Sequence, residues 1–149
     1  MEFRCTVLLA AEQTAVWHTL TTPELISQCT PSLQGWSALD TGTSFQLQFS
    51  WGSGSSTIFI PLLLTWQTVT PPDYLQWHGE AKLGSTAVPL QGEFQLIPDG
   101  TEQTNLTFTA QVDPPNKLLA QMIQTAAPKF INSFFSCLKN RPAPFDFAP

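Results

Sequence analysis

Few side chains in this sequence are equipped for chemistry. Three cysteines (Cys5, Cys29, Cys137), two histidines (His18, His78), eleven acidic and six basic residues share 149 positions. A hydrolase or cyclase needs titratable groups that converge on one point, with a base in reach of a nucleophile. The pattern scatters them instead. Arg4, Glu80, Glu93 and His78 fall on the outward phase of alternating segments, and His18 sits on a short helical stretch. Glu24 fits the first turn of a helix, where a carboxylate complements the helix dipole. The cysteines lack the paired spacing of a zinc site, and no glycine-rich phosphate cradle is present. An odd cysteine count with no signal peptide is the pattern of a reduced, cytoplasmic protein whose thiols pack as small apolar groups. The same reading makes Asn105-Leu106-Thr107 an idle sequon. The chain is therefore expected to be no enzyme and to carry no metal and no cofactor.

What the sequence does offer is apolar surface. Charged residues make up 11% of it, against ~25% in an average globular chain. The net charge of −5 argues against nucleic acid and anionic membranes, which call for basic patches. No run is long enough to span a bilayer. The length fits one domain with a real core.

The element that must cover this apolar surface is the last periodic run, residues 114–138. Leu119, Met122, Ile123, Ala126, Phe130, Phe134, Cys137 and Leu138 recur at helical spacing. Asp113 is placed to cap it, with prolines in the first turn. Pro128 falls inside the run. It predicts either a kink that opens a pocket mouth near residues 124–127, or two abutting helices.

Before that run the chain alternates. Phe3, Cys5, Val7 and Leu9 mark a first strand with its odd residues inward. Two short helices follow, residues 12–20 and a second from Thr22-Pro23-Glu24 to about Cys29. Six further strands are expected. They fall at residues 34–39, 45–51, 57–68 and 75–81, then, after a loose connection at 82–89, at 90–96 and 104–112. Pro61 marks a bulge or an edge in the fourth. Residues 139–149 are expected to be a flexible tail beyond a single domain of residues 1–138. Tight turns make neighbouring strands antiparallel. The fold class is α+β, a seven-stranded antiparallel sheet wrapped around a long C-terminal helix.

These residues resemble a known family. Ala15-Val16-Trp17, Pro23-Glu24-Leu25, Cys29-Thr30-Pro31 followed by Trp36, Val69-Thr70-Pro71-Pro72, Gly79-Glu80-Ala81, Gly92-Glu93 and the paired phenylalanines of residues 129–138 are similar to the helix-grip fold of START-like (SRPBCC) proteins. Within it they are most similar to the CoxG component of carbon monoxide dehydrogenase. The likeness covers residues 1–138. It implies a cavity for a lipid-like or polyketide-like ligand and no defined catalytic centre. Two departures stand out: the outer face of residues 58–66 is more apolar, and the hydrophobic C-terminal anchor of some members is missing.

Two functions follow. The first is non-enzymatic binding of a hydrophobic small molecule, a lipid, an isoprenoid or quinone-like compound, or a polycycle, between sheet and helix. Its expected site is Phe49, Trp66, Trp77, Phe94 and Phe108 from the sheet with Leu119, Met122, Ile123, Ala126 and Phe130 from the helix. The second is a protein-interaction or assembly factor with a largely filled cavity. It would use Phe59 and Leu63 on the outer sheet face, with Phe145 and Phe147 of the tail, to bind a partner or a second copy. A twist or bulge at Pro61 that turns Phe59 and Leu63 inward is the alternative for that patch.

Overall fold

A computed structural model describes residues 1–39, 42–52 and 54–140. Phe145 and Phe147 lie outside the described residues. Seven strands, β1 (Glu2–Leu9), β2 (Leu33–Ala38), β3 (Ser44–Trp51), β4 (Ile58–Thr70), β5 (Tyr74–Leu83), β6 (Thr86–Pro98) and β7 (Thr104–Val112), form one antiparallel sheet. Its order is β1-β7-β6-β5-β4-β3-β2. Every chain-neighbouring pair from β2 to β7 is therefore a hairpin, and β1 closes against β7 by pairing Cys5 with Phe108 and Val7 with Leu106. Helices α1 (Gln13–Thr21) and α2 (Pro23–Ile26), followed by a 3-10 turn at Ser27–Cys29, fill the crossover from β1 to β2. Helix α3 (Lys117–Lys139) lies over the concave face. This is the expected START-like helix grip.

The period-two pattern decides which face is inside. In β7, Thr104, Leu106 and Ala110 are buried, and in β6 Gly92, Phe94 and Leu96 are. Leu9, Val16, Leu20, Leu75, Leu96, Leu106, Phe134, Phe135 and Leu138 pack into one cluster. Full burial of such a side chain contributes about 1.5–3 kcal/mol. The cluster joins α1 and the C-terminal third of α3 to β1, β5, β6 and β7. Two side-chain bonds fix the entry to α1 against it: Thr104 Oγ1 donates to the Ala11 carbonyl at 2.8 Å, and Gln13 Nε2 donates to the Leu96 carbonyl at 3.0 Å.

Gly92 sits opposite Trp77 in the β5–β6 ladder. The indole lies so close over it that a Cβ there would run into Trp77 Cζ2 and stand 2.8 Å from Cε2. On the outer face, Tyr74 donates its hydroxyl to Glu93 at 2.5 Å. That bond, with some desolvation and the carboxylate charge, raises the tyrosine pKa above its ordinary value.

Several local expectations need correcting. The connection at residues 82–89 is no loose loop. Leu83 pairs with Thr86 in a tight hairpin whose corner is Gly84 at φ +64°. Pro61 makes no bulge; it stands one residue beyond the end of the β4–β5 ladder at Leu62–Ala81, where a missing donor costs little. The bulge of β4 falls between Trp66 and Thr68 instead, and β2 has another between Leu33 and Gly35. Phe59 and Leu63 do not turn inward; they are 61% and 43% exposed. Ile58 is exposed as well, at the end of its strand.

Helix α3 starts two to three residues later than its prolines suggest. Asn116 is the cap, accepting from the Leu119 amide at 2.9 Å, while the Asp113 amide donates to the Pro89 carbonyl. The helix runs unbroken through Pro128, so the two-helix alternative is excluded. The cysteines are corrected as well. Cys29 and Cys137 form a disulfide, with Cα atoms 5.4 Å apart, and Cys5 alone stays a free, half-buried thiol. The 3-10 turn and the last two turns of α3 bring together two residues 108 apart in sequence.

Candidate functional site

Where the core cluster ends, the sheet and α3 separate. Between them lies a cavity of about 980 Å³. Native interiors hold few voids larger than a water molecule. This one would take roughly thirty waters at ~30 Å³ each. It sits at the upper end of the roughly 300–1,000 Å³ typical of small-molecule sites.

Three elements wall it. The sheet supplies alternate residues of β2 to β7, among them Trp36, Phe45, Leu47, Trp51, Ile60 and Leu64. Helix α3 supplies the row Leu118, Met122, Ala126, Phe130 and Phe134, spaced by four and so forming one ridge along the helix. The crossover supplies Ile26, Ser27, Thr30, Pro31 and Ser32. Ser32 lies there at φ +61°, a left-handed backbone that costs a non-glycine residue roughly 1–2 kcal/mol.

Aromatic rings organise the walls. Phe94 and Phe108 meet at 5.3 Å and stand against Phe134 and Phe135 of the helix, at 6.4 and 5.7 Å respectively. This layer is the boundary between core and cavity. Farther along the sheet Phe45 meets Trp66 at 5.0 Å. Phe49 reaches Phe130 edge-on at 5.9 Å, the contact at which sheet and helix touch across the open space. Toward the start of the helix the cavity opens to solvent, where Leu118 is 68% exposed.

Nine of the ten expected ligand-site residues line this cavity: Phe49, Trp66, Trp77, Phe94, Phe108, Met122, Ile123, Ala126 and Phe130. Leu119 does not; it is half-buried outside the cavity, and Leu118 takes its place. The sequence pattern missed the crossover residues, which have no periodicity of their own, and the bulge-displaced Leu33. Trp36 carried a signal, an aromatic on a short strand otherwise small and polar.

Among the described residues, no His, Asp or Glu lines the cavity. His78 and Glu80 are exposed on the outer face of β5. His18 Nδ1 lies 3.5 Å from Thr22 Oγ1 on α1. Among the described residues no three His, Cys, Asp or Glu side chains come together in a group that would hold a metal ion.

A family model of CoxG, a component of carbon monoxide dehydrogenase, matches residues 6–142. The chain belongs to the CoxG family. Solved structures agree on the fold of this CoxG-family chain. It is similar to a conserved protein from Geobacillus kaustophilus (TM-score 0.81, 20% identity, 93% of each chain covered). It is similar also to the Mll3558 protein from Rhizobium loti (TM-score 0.70, 16% identity, 91% of this chain and 95% of that one). A START superfamily protein from Mycobacterium smegmatis matches with a TM-score of 0.68 and 15% identity over 93% of this chain and 94% of its own. No protein of curated function matches the sequence. Among the described residues of this CoxG-family chain, no helix is long and apolar enough to cross a membrane.

Proposed function

We propose that this CoxG-family chain is a non-enzymatic binder of a hydrophobic small molecule, held between the sheet and α3. The observation that carries this is the open 980 Å³ between aromatic walls. Such a space is costly to leave either empty or wet: its lining loses dispersion contacts, and water finds few partners there. An apolar ligand would recover about 25 cal/mol for each Å² it buries. A lipid, an isoprenoid or quinone-like compound and a polycycle all have the required chemistry. The START-like fold, which commonly encloses such ligands, supports the reading. The scatter of His, Asp and Glu favours binding over catalysis.

The test is an apolar fluorescent probe titrated against tryptophan emission. One probe per chain is expected, with quenching, because Trp36, Trp51, Trp66 and Trp77 all face the cavity. Ala126→Trp puts an indole into that space from a half-buried helix position. It is expected to weaken the probe at least tenfold with a melting temperature close to that of the parent. Undiminished binding by a folded variant would place the probe elsewhere and defeat the proposal. Native mass spectrometry of protein purified from its source would then show what the cavity retains.

A second reading, an interaction or assembly factor, is favoured by the exposure of Phe59 and Leu63. Their partners across the ladder, Ser50 and Gln46, are polar, so the patch is narrow. The open cavity weighs against the filled interior this reading calls for. Phe59→Ser with Leu63→Ser is expected to remain folded, with stability within about 1 kcal/mol of the parent, since neither side chain is in the core. Lost self-association or partner binding in sedimentation would favour this reading; an unchanged profile would remove it.

A further inference from the structure

The cavity wall holds a single charged residue among the described ones, Lys129. It belongs to a row on α3, Gln121, Thr125, Lys129 and Ser133, spaced by four like the apolar ridge beside it. All four line the cavity and all four are exposed to solvent as well, so this polar row is a lip of the opening. One turn further the row reaches Cys137, whose disulfide to Cys29 fixes it beside the crossover. The crossover brings Ser27, Thr30 and Ser32 to the same cavity. Thr30 Oγ1 and Ser27 Oγ donate to the Ile26 and Glu24 carbonyls, leaving their oxygens as acceptors or, on rotation, as donors to a guest. No Asp or Glu lines the cavity among the described residues, and Lys129 has no ion-pair partner among them.

We infer that the ligand is an amphiphile with a monocarboxylate head, its apolar body on the tryptophan walls and its head at the lip beside Lys129. This rests on the reading of the cavity as a ligand site and adds the class of its ligand. One ammonium answers one negative charge. A phosphate dianion calls for an arginine fork or several cations, and among the described residues the lip has Lys129 alone. A cationic head would meet Lys129 with no carboxylate to offset it. The position of the charge at the mouth lets the head stay partly hydrated while the body is buried, the arrangement that long amphipathic groups adopt.

The experiment compares two probes that differ only at the head, cis-parinaric acid and its methyl ester, at low salt. The acid is expected to bind the parent about three- to fivefold more tightly than the ester, the scale of a solvent-exposed ion pair. Lys129→Gln should bring the ratio near one by weakening the acid. Lys129→Arg should keep the preference, and added salt should erode it. Lys129 is exposed, so these variants are expected to fold. Equal affinity of acid and ester for the parent would overturn the inference while the cavity reading stands. A preference that survives in Lys129→Gln would overturn it too. Failure of both probes to bind would defeat the cavity reading itself.

Discussion

Reducing the Cys29–Cys137 bridge is expected to lower the free energy of unfolding by about 4 kcal/mol. The bridge closes a loop of 108 residues, and restricting so long a loop in the unfolded chain is worth about 4–5 kcal/mol in the chain-entropy account. For a chain of this size that corresponds to a fall in melting temperature of roughly 8–16 °C. The loss has a structural address. The bridge ties the 3-10 turn to α3 beside buried Phe134, Phe135 and Leu138, so the reduced protein loses the clamp on the helix that covers the sheet. Urea unfolding with and without reductant measures it, and the Cys29→Ala, Cys137→Ala double variant should match the reduced parent. Alkylation in denaturant without reductant should modify only Cys5. Three modified cysteines, with superimposable unfolding curves, would mean that the bridge does not form.

Gly92→Ala is expected to cost about 2–3 kcal/mol, although it adds one methyl group. That methyl would run into Trp77 Cζ2 and lie 2.8 Å from Trp77 Cε2 and 2.9 Å from the Thr109 carbonyl oxygen. Trp77 is buried in the core cluster, and Thr109 belongs to the adjoining strand, so neither yields freely. Overfilling a packed interior costs typically 1–3 kcal/mol. Gly35→Ala is the control, because no described residue lies within 4 Å of its added carbon. It should change stability by less than about 0.5 kcal/mol. Combining Gly92→Ala with Trp77→Phe should recover part of the loss. If the two alanine variants melt together, the close approach of indole and backbone is wrong.

Much of this architecture was legible in the sequence because alternation reports a face directly. Phe45, Leu47, Phe49 and Trp51 could face only one way together, and that side proved to be the cavity wall. The helix was legible for the same reason, but its phase was blurred at the start. Leu118 and Leu119 are adjacent, and only the rest of the ridge, Met122, Ala126 and Phe130, selects Leu118 once the turn count is known. The disulfide was hidden for another reason. Its two cysteines are neighbours only through the tertiary path of the crossover, and no local spacing encodes that. Lys129 was hidden by its charge, since a lysine on an amphipathic helix is ordinarily on the wet side. The row of residues spaced by four beside the apolar ridge was the available sign.

The bulge between Leu33 and Gly35 has a further consequence, for colloidal behaviour. Among the described residues β2 ends the sheet, pairing with β3 alone, and so offers free amide and carbonyl groups to any passing chain. Many proteins guard such an edge with lysines, which this weakly charged chain can hardly spare: β2 carries none. It has two other defences. The strand is six residues long, too short to template a long ladder, and its bulge twists the hydrogen-bonding groups out of a straight line. The guard against strand-by-strand aggregation at this edge is an irregularity of the backbone rather than electrostatic repulsion, and its effect should be insensitive to salt.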